Sequence, residues 1–239
     1  AEAIDRAIHS WRRAIDLRQD PSSAPSDLGK SVWGPISQHL PPDTKTLFFS
    51  TDGDLARIPW AALPVGKDRV LLEDYAIATV PHGPFLLEHL KYPRKFEGKE
   101  STFALGGLEY GVKWPALPGT RIELDSMISL APGERDAASG DAATAERVAK
   151  ALPKARYAHF ATHGEFRADE FAAEKKRELD ARKNWVEGQD IRRVAAKNPL
   201  GFVGLVLSGG EVLTGLSILD LNLDNLKLVT LSACETGLG

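Results

Sequence analysis

Arg156-Tyr157-Ala158-His159-Phe160-Ala161-Thr162 runs into His163-Gly164, and Leu228-Val229-Thr230-Leu231-Ser232-Ala233 runs into Cys234-Glu235-Thr236-Gly237. Both are short, mostly apolar runs that empty into a polar, glycine-bearing segment, the pattern of a buried strand followed by a loop. Two strands that each deliver a reactive side chain at the carboxyl edge of a sheet are how an α/β protein builds a site, because loops there are exposed while the strands hold them rigidly. His163 and Cys234 therefore form a candidate imidazole-thiol dyad. They lie 71 positions apart (163 to 234), so they can meet only through the fold, as they would at the ends of neighbouring parallel strands.

A thiol with a reference pKa of about 8.5 is mostly protonated at neutral pH, and a nucleophilic cysteine needs an imidazole or a positive field beside it. His163 is the natural supplier. Gly164 allows a sharp turn and a close approach of substrate to the backbone, so its N–H and that of Cys234 are candidate oxyanion donors. The competing reading of Cys234 is a buried structural thiol, a common fate of a lone cysteine. His159 and His163 are four apart, a metal-chelating spacing on a helix; here the flanks read as strand and no third ligand is near, so no metal is expected and His159 is read as a buried histidine bonded within the sheet.

Working outward, Thr46–Ser50, Tyr75–Val80, Thr102–Leu105 and Phe202–Leu207 read as further strands. Helices are expected at Pro84–Leu90, at Thr120–Leu130, and at Asp141–Leu152 with Asp141 as its cap; Leu216–Leu226 reads as a short helix and turn. Alternating strands and helices indicate an α/β fold with a largely parallel sheet covered on both faces. At the amino end, Ile4, Ala7, Ile8, Trp11, Ala14, Ile15 and Leu17 recur at helical spacing, so residues 1–20 form an amphipathic helix whose apolar face needs a partner. Pro21 to Asp27 reads as a linker, Leu28–His39 as a second helix, and Pro41-Pro42 as the boundary between a helical segment, 1–41, and a main domain, 42–239. Between Glu165 and Lys197, 17 of 33 residues are charged, nine basic and eight acidic, which predicts a solvated helical insertion.

Composition narrows the partners. Thirty basic against 33 acidic residues give a net charge of −3, with no basic stripe for nucleic acid. A single cysteine excludes an internal disulfide framework, and no apolar run approaches the ~20 residues needed to cross a bilayer, so a cytoplasmic protein without membrane partners is expected. Two segments suggest an ATPase: Ala24–Ser31 fits a relaxed phosphate loop and Leu207-Ser208-Gly209-Gly210-Glu211 a transporter-type signature. The first fails on context, because a phosphate loop must leave a buried strand and Arg18-Gln19-Asp20-Pro21 is polar and helix-terminating. Glu211, Asp220 and Glu235 are read as surface carboxylates.

Taken together, Ala158-His159-Phe160-Ala161-Thr162-His163-Gly164 and Leu231-Ser232-Ala233-Cys234-Glu235-Thr236-Gly237 resemble the CHAT domain, a caspase-like group of cysteine peptidases often fused to tetratricopeptide repeats. Asp52-Gly53, Ile58-Pro59-Trp60-Ala61-Ala62-Leu63, Leu72-Glu73-Asp74-Tyr75, Leu117-Pro118-Gly119 with Glu123, and Ala143-Thr144 follow the same order, so the resemblance spans about residues 43–239. It implies a caspase-haemoglobinase fold, His163 as general base, Cys234 as nucleophile, Gly164 as an oxyanion donor, a polypeptide substrate and no cofactor. It also implies that the first helix is the last helix of, or a connector to, a tetratricopeptide-repeat region or sensor, the other reading being a helix packed on the main domain itself, and that further strands follow Gly239 to complete the cleft. The alternative is a catalytically inert interaction module of the same fold.

Overall fold

The computed structural model describes residues 2–93, 95, 96, 98–183 and 198–233, without the side chains of 181–183. The chain forms two compact units, 1–95 and 96–239.

In the first unit, α1 (Glu2–Asp16) ends where Arg18 turns into the left-handed region (φ 52°) and Gln19 N–H bonds the Ala14 carbonyl at 2.8 Å. Next come α2 (Ala24–Leu28), a π-turn over Gly29–Trp33, and α3 (Gly34–Ser37). The helical stretch thus begins within the expected linker, because Pro25 in the first turn needs no amide partner there. It also removes the phosphate-loop reading, since residues 24–37 are helical and no strand precedes them among the described residues. β1 (Thr46–Phe49) pairs in parallel, across a crossover connection, with a later strand. Between them lie the two-stranded hairpin β2 (Pro64–Gly66) and β3 (Arg69–Val70) and the short helix α4 (Leu71–Asp74). That later strand is β4 (Ala76–Thr79), and α5 (Gly83–Lys91) follows it.

The apolar face of α1 is not left bare. Ile8 and Trp11 pack into one core with Leu28, Trp33, Leu47, Ile58, Trp60, Leu63 and Leu71. Residues on both sides of Pro41 therefore share a single core, and the division between compact units falls at Lys95 instead.

The second unit contains β5 (Ser101–Leu105), α6 (Gly119–Leu130), β6 (Glu134–Ala138), α7 (Ala145–Ala151), β7 (Tyr157–Ala161), β8 (Gly164–Phe166), α8 (Ala168–Lys183), β9 (Val203–Val206), β10 (Val212–Thr214), α9 (Gly215–Ile218) and β11 (Leu228–Ser232). Four strands make an all-parallel sheet in the order β11-β7-β5-β6, and β8, β9 and β10 make an antiparallel one. Neighbouring side chains of a strand point to opposite faces. His159 accordingly meets Glu123 of α6, while Phe160 joins Phe103, Val148 of α7, Leu205 and Val206 in the main core. Helices thus cover both faces of a mixed α/β unit, as the alternation predicts.

Three differences from expectation have simple causes. β6 begins Glu134-Arg135-Asp136 and lacks an apolar signature because it is an edge strand among the described strands, with Asp136 held by Arg147 and Arg135 Nε donating to the Ala131 carbonyl at 3.0 Å. α7 is capped by Thr144, whose hydroxyl accepts from Arg147 N–H at 3.2 Å, while Asp141 sits in a preceding 3₁₀ turn. Ser208-Gly209-Gly210 forms a tight turn between β9 and β10, with both glycines at positive φ. The charged segment expected at 165–197 opens with the end of β8 and continues into α8; residues 184–197 lie outside the described residues. Among the described residues no helix is long and apolar enough to cross a membrane.

Gly106 is where α6 packs against the end of β5: a Cβ there would meet the Thr120 carbonyl oxygen at 2.4 Å. Gly106→Ala is expected to destabilise the second unit by about 1–3 kcal/mol, as overpacked sites do, measured by chemical denaturation.

Candidate active site

The strand order itself marks the crevice. The chain goes outward from β5 to β6, returns to β7 on the other side of β5, and continues to β11, so the order reverses between β5 and β7. In open α/β sheets, ligand sites form at the carboxyl ends of strands at such a reversal, because the two following loops diverge and leave a cleft. Here those ends are Gly106-Gly107 and His163.

The segment after β5 is pinned at both ends. Gly107 N–H bonds Thr120 Oγ1 at 2.9 Å, Gly209 N–H bonds the Glu109 carbonyl at 2.7 Å, and Thr120 Oγ1 donates to the Leu117 carbonyl at 2.6 Å. This segment delivers Tyr110, Trp114 and Pro115 to His163. His163 Nε2 lies 2.8 Å from the Pro115 carbonyl oxygen. A carbonyl only accepts, so in the neutral ring Nε2 carries the hydrogen and Nδ1 the basic lone pair. The Tyr110 ring meets the imidazole edge-on at 4.7 Å and the Trp114 ring lies tilted at 5.2 Å. Lys113 Nζ, 5.0 Å from the Trp114 ring centre, pairs with Glu165 Oε1 at 3.0 Å, tying the segment to β8. The imidazole is thus held on two sides, with one nitrogen assigned to structure and the other left basic.

Thr162 anchors the same turn from below. Its hydroxyl is hydrogen-bonded to the Tyr110 hydroxyl at 3.0 Å and to the Val206 carbonyl of β9. The geometry of Gly164 follows from strand pairing. Gly164 stands opposite Leu205, and Val206 N–H bonds the His163 carbonyl at 2.9 Å. In an antiparallel ladder that bond brackets a pair that does not exchange its own hydrogen bonds, so the Gly164 N–H points away from β9. It is therefore not consumed by the ladder.

Cys234, and Glu235 with it, lie outside the described residues. What the structure gives is the strand that leads to the cysteine: β11 pairs in parallel with β7, with Thr230 opposite His159 and Ser232 opposite Ala161. His163 and Cys234 each come two residues after that last pair. His159 corrects an expectation, since Nε2 bonds Glu123 Oε1 of α6 at 2.9 Å and not a group of the sheet. Glu211 is also committed, its Oε2 accepting from Ala145 N–H at 2.9 Å at the start of α7. Among the described residues no cluster of three metal-ligating side chains is present.

Sequence reading missed Tyr110, Trp114 and Pro115. Two aromatics shortly after Gly106-Gly107 are a signal in hindsight, but Pro115 acts through its carbonyl, which no side-chain pattern reveals. Tyr110 is buried, and this pushes its phenol above the ordinary 10.0, with its hydrogen bonds to Thr162 and Thr120 pulling the other way. The unfolded chain loses that proton first as pH rises past about 10, so stability is full below that value and falls above it. Tyr110→Phe is expected to flatten this alkaline decline, measured by denaturant unfolding from pH 9 to about 11.

Comparison with known proteins gives one match: the family model described as the CHAT domain covers residues 24–239. No curated protein and no solved structure matches the chain. The family match begins at α2 and takes in both the β5 and β7 strand ends and the run leading to Cys234. With the parallel sheet, its helices and that match in agreement, the chain belongs to the CHAT domain family, whose caspase-like fold is related to the peptidases.

Proposed function

We propose that this chain is a cysteine endopeptidase in which His163 and Cys234 act as base and nucleophile on a polypeptide substrate. The observation that carries the reading is the parallel register of β7 and β11, which sets Ala161 opposite Ser232 two residues before each of the two side chains. The second support is the Pro115 carbonyl on His163 Nε2, which leaves Nδ1 as the proton acceptor.

In this mechanism Nδ1 takes the thiol proton of Cys234 as the sulfur attacks the scissile carbonyl carbon. The developing oxyanion is met by the Gly164 N–H, which faces away from β9, and by the Cys234 N–H. Collapse of the tetrahedral species breaks the C–N bond, and the imidazolium returns its proton to the leaving amine. Water then adds to the acyl-thioester, giving up its proton to Nδ1, and releases the acid and the thiol. No cofactor is required for either half. Control by an upstream sensor or tetratricopeptide-repeat region is part of this proposal, supported by the family match alone.

A peptidyl electrophile at stoichiometric dose tests it. Cys234 is expected to be labelled one to one, and His163→Ala to slow labelling by about 10²–10⁴-fold, the usual contribution of a positioned base. Cys234→Ala is expected to abolish cleavage in a peptide library. Labelling that is indifferent to His163, or cleavage that persists without Cys234, overturns the assignment and leaves an interaction module on the same fold.

A further inference from the structure

One titratable pair, a buried histidine and a half-buried glutamate, stands outside that mechanism. Glu123, on the second turn of α6, reaches across the face of the parallel sheet with both carboxylate oxygens engaged: Oε1 lies 2.9 Å from His159 Nε2 on β7 and Oε2 lies 3.2 Å from Ser232 Oγ on β11. His159 is only 4% exposed, and its Nδ1 is buried without a hydrogen-bond partner among the described residues. A proton on Nδ1 would have no acceptor, so the ring hydrogen sits on Nε2 and is donated to the carboxylate. The Ser232 hydroxyl must donate as well, because an ionised carboxylate only accepts. A single side chain thereby gathers two donors from two adjacent strands and fastens both to one helix.

The position of these donors along the strands matters more than their number. Ser232 is two residues before Cys234, and His159 is four before His163. β11 pairs with β7 on one side only among the described strands, and all five of its residues are exposed. An edge strand held by one ladder frays from its ends, where each backbone bond has fewest neighbours. The Ser232–Glu123 bond falls at the carboxyl end of the ladder, two residues before Cys234 in the sequence. α6 is itself well fixed, with Leu124 buried, Thr120 bonded to Gly107, and the backbone of Thr120 pressed against Gly106.

We infer that Glu123 is a positioning residue, a strut between α6, β7 and β11 that holds the β11 terminus in the register needed for Cys234 to meet His163. The inference rests on the peptidase reading for its catalytic consequence, though not for the strut itself. Among the described residues Glu123 bonds Ser232 and His159, and it acts through them. The role is geometric and does not need the charge. In Glu123→Gln the amide oxygen takes the His159 Nε2–H, and the Ser232 hydroxyl rotates to accept from the amide NH₂, so both arms survive.

The test uses four full-chain variants, with Cys234 labelling, peptide turnover and amide hydrogen exchange as readouts. Glu123→Ala is expected to lower the labelling rate and kcat about 10–100-fold with KM nearly unchanged, as a misplacement of the reacting group of about 1 Å does. Glu123→Gln is expected to restore most of that loss. Ser232→Ala is expected to give a smaller loss, and adding it to Glu123→Ala to cost nothing more, since both remove one contact. Exchange within residues 228–232 is expected to rise in Glu123→Ala, while exchange in 101–105 of β5 stays as in the wild type. Equal defects in the Gln and Ala variants, multiplying effects of the two alanine changes, or exchange rising equally in β5 and β11 would each overturn the strut. If wild-type Cys234 proves indifferent to His163, the peptidase reading has failed on its own, and the exchange pattern still decides whether Glu123 holds β11.

Discussion

The parallel ladder between β7 and β11 is the constraint on which the rest depends. It pairs five residues of each strand, from Leu228 opposite Tyr157 to Ser232 opposite Ala161, and turns a separation of 71 positions into adjacent strand ends. Neither strand could hold that register alone. β7 is central, with β5 on its other side and both faces covered, so it is fixed by burial; β11 borrows its position from β7 and from α6. Rigidity therefore passes outward from β5, through the strand bearing the imidazole, to the strand that leads to the thiol. Parallel pairing also aligns the carboxyl ends of both strands on one edge, which an antiparallel pair would not do.

Around that edge, the groups that prepare the site are largely backbone atoms. The Pro115 carbonyl selects the tautomer of His163, and the non-bonded register of Gly164 with Leu205 turns its N–H away from β9. Both depend on loops fixed elsewhere: the segment after β5 by Thr120 and by the turn at Gly209, and the turn after β7 by Thr162 against β9. The small antiparallel sheet thus serves the large parallel one. It gives the residue after the imidazole a defined direction that a free loop would lack.

How far the sequence reveals this follows from what each element buries. β5 and β7 are legible because each carries a compact run of buried apolar residues, Phe103-Ala104-Leu105 in one and Ala158, Phe160 and Ala161 in the other, and β11 because its run of Leu, Val and Thr leads to the lone cysteine. β6 is not, because an edge strand places Glu134, Arg135 and Asp136 where a central strand needs hydrophobes. The α7 start was misplaced by three residues because Asp141, Thr144 and the intervening residues all suit a helix entrance, and only the hydroxyl that reaches Arg147 N–H decides between them. The first helix looked unpartnered because its partners, Leu47, Ile58, Trp60, Leu63 and Leu71, lie beyond a proline pair that reads as a boundary. His163 and Gly164 stood out as side chain and glycine; their neighbours did not, since a carbonyl or an amide has no letter in the alphabet.

Glu123 lies between these two cases. Its letter is visible, four residues after Gly119, but nothing local shows what it does, because its partners are 36 and 109 positions away. A glutamate in a helix is by default a solvated surface group, and this one is partly exposed. What distinguishes it is that both oxygens are spent on strands whose ends matter, one of them on a histidine whose other nitrogen is buried with no partner among the described residues. An exposed carboxylate hydrogen-bonded to a mobile hydroxyl would contribute little. Bonded also to an imidazole fixed in the sheet, it transmits the position of β7 to the last residue of the β11 ladder. In the proposed peptidase chemistry, which tolerates errors of well under 1 Å, such transmission matters as much as the identity of the proposed reacting groups.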